Sequence, residues 1–547
     1  MASELLLWVV MIRKKYLGGD RLTIGGSCCH VASLFLLFSL TCAAQVSVLT
    51  QAGSNDRASA NLQETQLSPA TVTPATFGKL GAFSVDAQVY SQALYVAGLA
   101  MPDGSTKNVL YVSTMHNSVY AFDADSASSP TVLWQVSLGS SVPAMQVYGG
   151  YGDIGFEVGI LSTGVIDPVQ GIIYVVAETF QVNTRVFSLH ALDLTTGQER
   201  LNGPVAITGA SGNVQFDPIQ HIQRAGLLLS NGAIYVGFGS HGDQAPWHGW
   251  LMAYDATNVT RQIAAFTTTP SGNGGAIWQT ARGPAADDQG NLWVISGNGD
   301  FDGVQNFGQS FVKLKGSAPI VTGSYTPSDW KAMDDNDVDL SAGPAMVSGT
   351  GTVIGADKAG MLYVLNRDTL QPYTASSGMG YSVSGGSVFN LAIWSRANDA
   401  YIYVQGENEG VKCFQLAGNS LNPTPLSVGT NPLPYGRIGM TLSANGTQDG
   451  TGILWETTGD YNTGSYPGTL HAYDAGNLAN ELWNSQMNAA QDAMGDLSKF
   501  VNPTIANGNV YVPTFSNTVS VYGVLPPALP VPVPAITLAT GITSSGR

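Results

Sequence analysis

Cysteine is nearly missing from this chain. There are four in 547 residues, and Cys28, Cys29 and Cys42 all precede residue 45. Beyond that point only Cys413 remains, so the body of the chain closes no internal disulfide, and Cys413 reads as a buried structural thiol. Charge is scarce as well: Asp, Glu, Lys and Arg make up 11% of the residues, and the net charge is −16. No basic run occurs beyond Arg21. Nucleic acid is thereby excluded as a partner, because nothing would neutralise its phosphates. Long apolar runs are absent too. The longest, Val31 to Leu40, is about ten residues and too short to span a bilayer, which excludes a transmembrane anchor.

What the chain does contain is apolar and turn-forming. Hydrophobic residues are 44%, with 65 Gly, 22 Tyr and 10 Trp, a balance that favours short strands and tight turns over helices. The expected class is all-β. At the N-terminus, Arg13, Lys14, Lys15 and Arg21 precede the apolar run, and Cys42, Ala43 and Ala44 follow it. Residues 1–44 therefore read as an export signal, with Met11 an alternative start, and the expected location is secreted or periplasmic. Residues 45–76, polar and rich in Ser, Thr and Gln, read as a disordered lead-in. Residues 524–547, containing "PPALPVPVPA", read as a Pro-rich tail.

Between these ends the sequence repeats. "LYVSTMHNSVYAFDAD" (110–125) lies without gaps on "VYVPTFSNTVSVYG" (510–523), and "IYVQGENEGVKCFQL" and "VIGADKAGMLYVLN" follow the same course. With longer turns there are eight copies, anchored at Tyr111, Tyr174, Tyr235, Trp293, Ile354, Tyr403, Leu454 and Tyr511. The anchors are spaced by 49 to 63 residues, and apolar runs lie before and after each hairpin. Four strands at this period describe a propeller blade. The expectation is an eight-bladed β-propeller of four-stranded antiparallel blades over residues 77–523. The last copy lacks a fourth strand, and "FGKLGAFSV" (77–85) precedes the first blade, so this N-terminal strand is expected to close the ring.

"ALDLTTGQE" (191–199) resembles the blade signature of pyrroloquinoline quinone (PQQ) propellers, in which an Asp and a Thr-Gly turn lock the outer hairpin and a Trp docks between blades. Trp134 and Trp483 sit near that Trp's place in blades one and seven. The middle of the chain is similar to quinoprotein alcohol dehydrogenases in an ordered series: "GSHGDQAPWHGWLMAYDATN", then "GGAIWQTARGPAADDQGNLWVISGNG", then "ADKAGMLYVLNRD". The resemblance implies PQQ stacked on Trp278 and contacted by Lys358, and calcium bound by Asp243 and Asn298. An aromatic platform, a cation and hard oxygen donors are what a flat polyanionic quinone and its metal need. His248 stands where the family has Arg. The family's base aspartate falls on Val304, with Asp300 and Asp302 nearest, so the catalytic base is not placed. The family's vicinal cysteine pair has its only counterpart in Cys28–Cys29, within the signal. Taken over its whole length, the propeller resembles secreted bacterial PQQ-like repeat proteins.

Two functions stay open on this reading. One is a PQQ- and calcium-dependent dehydrogenase of alcohols or sugars. The other is a non-catalytic propeller binding a protein or glycan at the cell envelope. Bland alternatives stand beside each site residue: His241, Asp243 and His248 as a polar rim turn, Asp300 and Asp302 as ordinary turn chemistry, Trp278 as an inter-blade wedge, and Lys358 as a solvated turn charge. Asp153 and Glu157 read as rim residues, and His116 and His190 as structural.

Overall fold

The computed structural model describes residues 45–144, 154–182, 184–316, 319–373, 380–432, 437–460 and 466–527. The export signal, the cysteine pair within it, Asp153, and the tail beyond residue 527 lie outside the described residues. Eight antiparallel sheets follow one another around a ring. Blade one is Leu94–Ala100, Thr106–Ser113, Ser118–Asp123 and Val132–Ser137, and the later blades repeat this meander. Blade eight takes its outer strand from the other end of the chain. Phe77–Ser84 pairs antiparallel with Thr518–Val524, from Phe77 against Val524 to Ser84 against Thr518. Covalent order alone would leave the ring open, and this pairing closes it as the repeat count required.

The apolar core is spread around the ring, between neighbouring blades. In blade one, Val109, Tyr111, Val119 and Ala121 pack on blade two, whereas Leu110, Val112, Tyr120 and Phe122 pack on blade eight. Both faces of each middle strand are therefore covered. That is why these strands read as continuous runs such as "VLYV" and "IYVV" and lack hydrophobic–polar alternation. The anchor position also explains itself. Tyr111, Tyr174 and Tyr403 each donate a hydroxyl hydrogen bond to a backbone carbonyl of the following blade, at Leu194, Ala256 and Ala475. Trp293 does the same through its indole N–H, to Arg367. Trp134 and Trp483 sit between blades as expected: Trp134 bonds Leu194, and Trp483 packs edge-on against Phe77, centroids 5.0 Å apart.

One expectation fails. Residues 45–76 are ordered, and residues 48–64 touch the innermost strand region of every blade. Val48 exchanges backbone bonds with Tyr95, Leu49 receives one from Ile166, and the Asn55 amide donates to Leu229. Backbone N–H groups of Ala286, Met346, Ile393 and Leu442 then bond Asn55, Asp56, Ala58 and Ser59 in turn. Asn61 donates to Ile505, and Glu64 accepts from Gly508 in blade eight. At the centre lies Arg57, fully buried, donating to Thr50 Oγ1 and to the carbonyls of Gln51, Pro284 and Leu227. A polar composition cannot form a core of its own, but here the ring supplies hydrogen-bonding partners instead. This segment, hereafter the strap, plugs one end of the axial channel.

Blade seven carries a buried acid with no evident partner. Glu456 is 0% exposed, and neither carboxyl oxygen is hydrogen-bonded among the described residues. Burial, reinforced by Glu481, pushes its pKa up to about 8. The folded protein then holds a proton that the unfolded chain releases near its ordinary value of 4.5, so the contribution of this group to stability is fully present below about pH 4.5 and is lost as pH rises through about 8. Glu456→Gln should flatten that part of the stability–pH curve in urea titrations. An unchanged slope would mean that Glu456 is ionised in the fold.

Candidate functional site

The inner strands all run the same way, so their starts gather at the channel end opposite the strap. Asp339 precedes Leu340–Val347, Arg224 precedes Leu228–Ser230, and Phe500 precedes Thr504–Ala506. Together with Trp278, Phe389 and Arg437 they line a cavity of about 240 Å³ on the ring axis, to which blades three to eight all contribute. Asp243, Trp278, Asn298 and Lys358, separated by up to 115 positions in the chain, all reach this one cavity.

The loop from blade three to blade four presents Trp278. Gln279, Thr280 and Ala281 after it are left-handed, with φ of 46°, 50° and 68°, a costly run for residues with side chains. It is held by Thr280 Oγ1 donating to Ser341 and by Gln279, which accepts from the Ile295 N–H and donates to Arg282. The ring lies under Lys358, whose Nζ is 5.7 Å from its centroid, and edge-on to Phe389 at 6.4 Å. Phe500 continues the aromatic floor, 5.3 Å from Phe389.

Asp339 is the residue that sequence reasoning missed. Its carboxylate receives the Asn298 backbone N–H at 2.8 Å and faces Lys358 Nζ at 2.6 Å. Burial pushes its pKa up to about 6, although Lys358 pulls the other way. Burial lowers the Lys358 pKa, but Asp339 and then Asp337 outweigh it, leaving the ammonium above its ordinary value. Gly297 makes the approach possible: a Cβ there would stand 2.4 Å from Asp339 Oδ1. The expected base position, Val304, is instead an exposed turn residue, 80% accessible. Asp302 accepts three N–H groups of that turn, from Val304, Gln305 and Asn306, and is turn chemistry. The signal for Asp339 was available: it stands immediately before the apolar run of an inner strand, much as Arg224 and Phe500 stand a few residues ahead of theirs.

The oxygen donors are partly committed. Asn298 Oδ1 accepts from Gln309 Nε2 at 2.5 Å, and its amide donates to Asp337 at 2.8 Å. Asp243, left-handed at φ 51° and exposed at the mouth, accepts from Ser240 Oγ at 2.5 Å. His248 bonds Thr269 through Nδ1, and neither it nor His241 lines the cavity. No group of three or more His, Cys, Asp or Glu suited to a metal ion occurs among the described residues. His116 pairs with Glu157 at 2.9 Å and His190 with Glu199 at 3.0 Å, both away from the cavity. Cys413 is fully buried, and burial pushes its thiol up to about 12, which leaves it inert.

Among solved structures, quinohemoprotein alcohol dehydrogenase ADHIIG from Pseudomonas putida HK5 superposes with a TM-score of 0.58 at 15% identity, over 89% of this chain and 82% of that one. Quinohemoprotein alcohol dehydrogenase from Comamonas testosteroni gives 0.57 at 13% identity, over 88% and 81%. The fold is that of the quinoprotein propellers. No protein-family model and no curated protein sequence matches this chain. At such identity the likeness concerns the quinoprotein fold, and chemistry must be argued from the cavity itself. Among the described residues, no helix is long and apolar enough to cross a membrane.

Proposed function

We propose that this chain is an exported quinoprotein-like propeller whose axial cavity binds PQQ with calcium and oxidises an alcohol or sugar. One observation carries the reading: Trp278, Asn298, Lys358 and the buried carboxylate of Asp339 converge on one cavity, with Asp339 bonded directly to Asn298 and Lys358. The donor set suits the quinone. An aromatic floor and the cations Arg224, Lys358 and Arg437 face the space that a flat, acid-bearing ring would fill. For the metal, the cavity wall offers oxygens of Asp243 and Asn298. Calcium takes about six to eight, so ligand and water would complete its shell.

When bound, the quinone supplies a carbonyl that accepts hydride. The protein's part is positional and acid–base. Trp278 orients the flat ring. Lys358 holds Asp339 in place, and Asp339 accepts the proton of the substrate hydroxyl. The strap seals the far end of the channel and limits water to one mouth.

The test is a titration of purified protein with PQQ and calcium, followed by tryptophan fluorescence, and then dye reduction across a panel of alcohols and sugars. Saturable binding with turnover supports the reading. Absence of saturable binding would sink it, and binding without turnover would leave a non-catalytic envelope propeller.

A further inference from the structure

Four arginines are buried among the described residues, and three of them have partners, Arg185 donating to the Ile219 carbonyl and facing the Glu178 carboxylate. Arg57 makes four hydrogen bonds, and Arg282 donates to the carbonyls of Arg57 and Leu391 and to Asn390 Oδ1. Arg224 is different. It is 5% exposed, its Nε is buried with no acceptor, and its guanidinium makes no hydrogen bond or ion pair among the described residues. Its neighbours are rings: its Cζ lies 5.9 Å from the Tyr90 centroid and 5.1 Å from that of Phe500. Arg437 approaches the same Phe500 ring at 6.0 Å, so a second cation stands nearby.

An arginine cannot shed its charge, and two aromatic faces fix its plane without satisfying its donors. The carboxylates of the same wall are engaged elsewhere, Asp339 with Lys358 and Asp243 with Ser240. A buried cation that lines a cavity and has no acceptor in the fold needs one from the cavity's occupant. The planar fork of N–H donors matches a carboxylate in bidentate fashion.

We propose that Arg224 is the seat of a carboxylate, so the molecule filling the axial cavity is an organic acid that docks an acid group on this guanidinium. The inference rests on the cavity being the small-molecule site described under Proposed function. The acid group has two possible sources: the quinone itself, or a hydroxy-acid substrate oxidised at the hydroxyl that Asp339 faces.

The experiment compares wild type, Arg224→Met and Arg224→Lys by tryptophan fluorescence and thermal shift. The probes are PQQ with calcium, glycolate, its neutral counterpart ethylene glycol, and inorganic phosphate. Arg224→Met removes an uncompensated buried charge, so it should fold with an undiminished melting temperature. It should weaken the acid probe that binds wild type by about tenfold or more, with partial recovery in Arg224→Lys. Ethylene glycol should be unaffected. Weakening of PQQ places the acid on the cofactor, and weakening of glycolate on the loaded protein places it on the substrate. Equal affinities in wild type and Arg224→Met, equal losses for glycolate and ethylene glycol, or phosphate binding tighter than either acid would each overturn the assignment. If wild type ignores PQQ yet holds glycolate through Arg224, the quinone reading falls and this one stands. If PQQ binds both proteins equally and glycolate binds neither, the quinone reading stands and this one falls.

Discussion

Asp339→Asn should lower dye-linked alcohol oxidation by about 10²–10⁴-fold, the span that a positioned general base contributes. PQQ affinity should stay within about threefold, because the amide keeps the acceptor oxygen for the Asn298 N–H. The split matters more than the size. A base lost from the reaction lowers the rate and spares binding, whereas a collapsed cavity lowers both. Lys358 retains Asp337 at 3.0 Å in the variant, so its ammonium is not left alone in the wall. Equal rates in the variant and wild type would remove Asp339 from the reaction.

Arg57→Ala should cost on the order of 4 kcal/mol in chemical denaturation, which is large for one substitution. Four hydrogen bonds from one guanidinium vanish, and the carbonyls of Pro284 and Leu227 lose a charged donor inside the channel. Because the strap touches all eight blades, its loss should loosen the ring as a whole. Hydrogen exchange would show this as lost protection at Ala286, Met346, Ile393 and Leu442, whose N–H groups bond the strap. Loss confined to blades three and four, where Arg57 itself reaches, would show that the strap is not a single unit. Arg57→Lys should recover only part of the stability, since an ammonium cannot span four acceptors set for a planar fork.

The blades were legible because each is a local object. A hairpin such as 110–122 carries its strands, its turn at Asn117 and its inter-blade tyrosine within a dozen residues, and eight copies make the count unambiguous. The closing strand at Phe77–Ser84 was legible by subtraction, since seven complete blades and one short of a strand leave a single solution. Trp278, Asn298 and Lys358, and their meeting around one site, were legible only through resemblance. Asp339 escaped because it lies in "DDNDVDL", where Asp334, Asp335, Asp337 and Asp339 look alike in one dimension. Depth separates them. Asp339 is 8% exposed against the inner strand, while Asp337 lies open to solvent.

The sequence by itself determined the class, the repeat number and the closure of the ring, because period, apolar pattern and turn chemistry are local and propagate by repetition. Only the tertiary structure decided the strap, the axial cavity and the buried guanidinium of Arg224 that finds no acceptor among the described residues. Each depends on groups hundreds of residues apart competing for the same hydrogen bonds, and composition cannot say which polar atoms find partners and which are left waiting. The 45–76 segment illustrates both halves: too polar to fold alone, it is ordered because eight strand ends supply the partners it lacks.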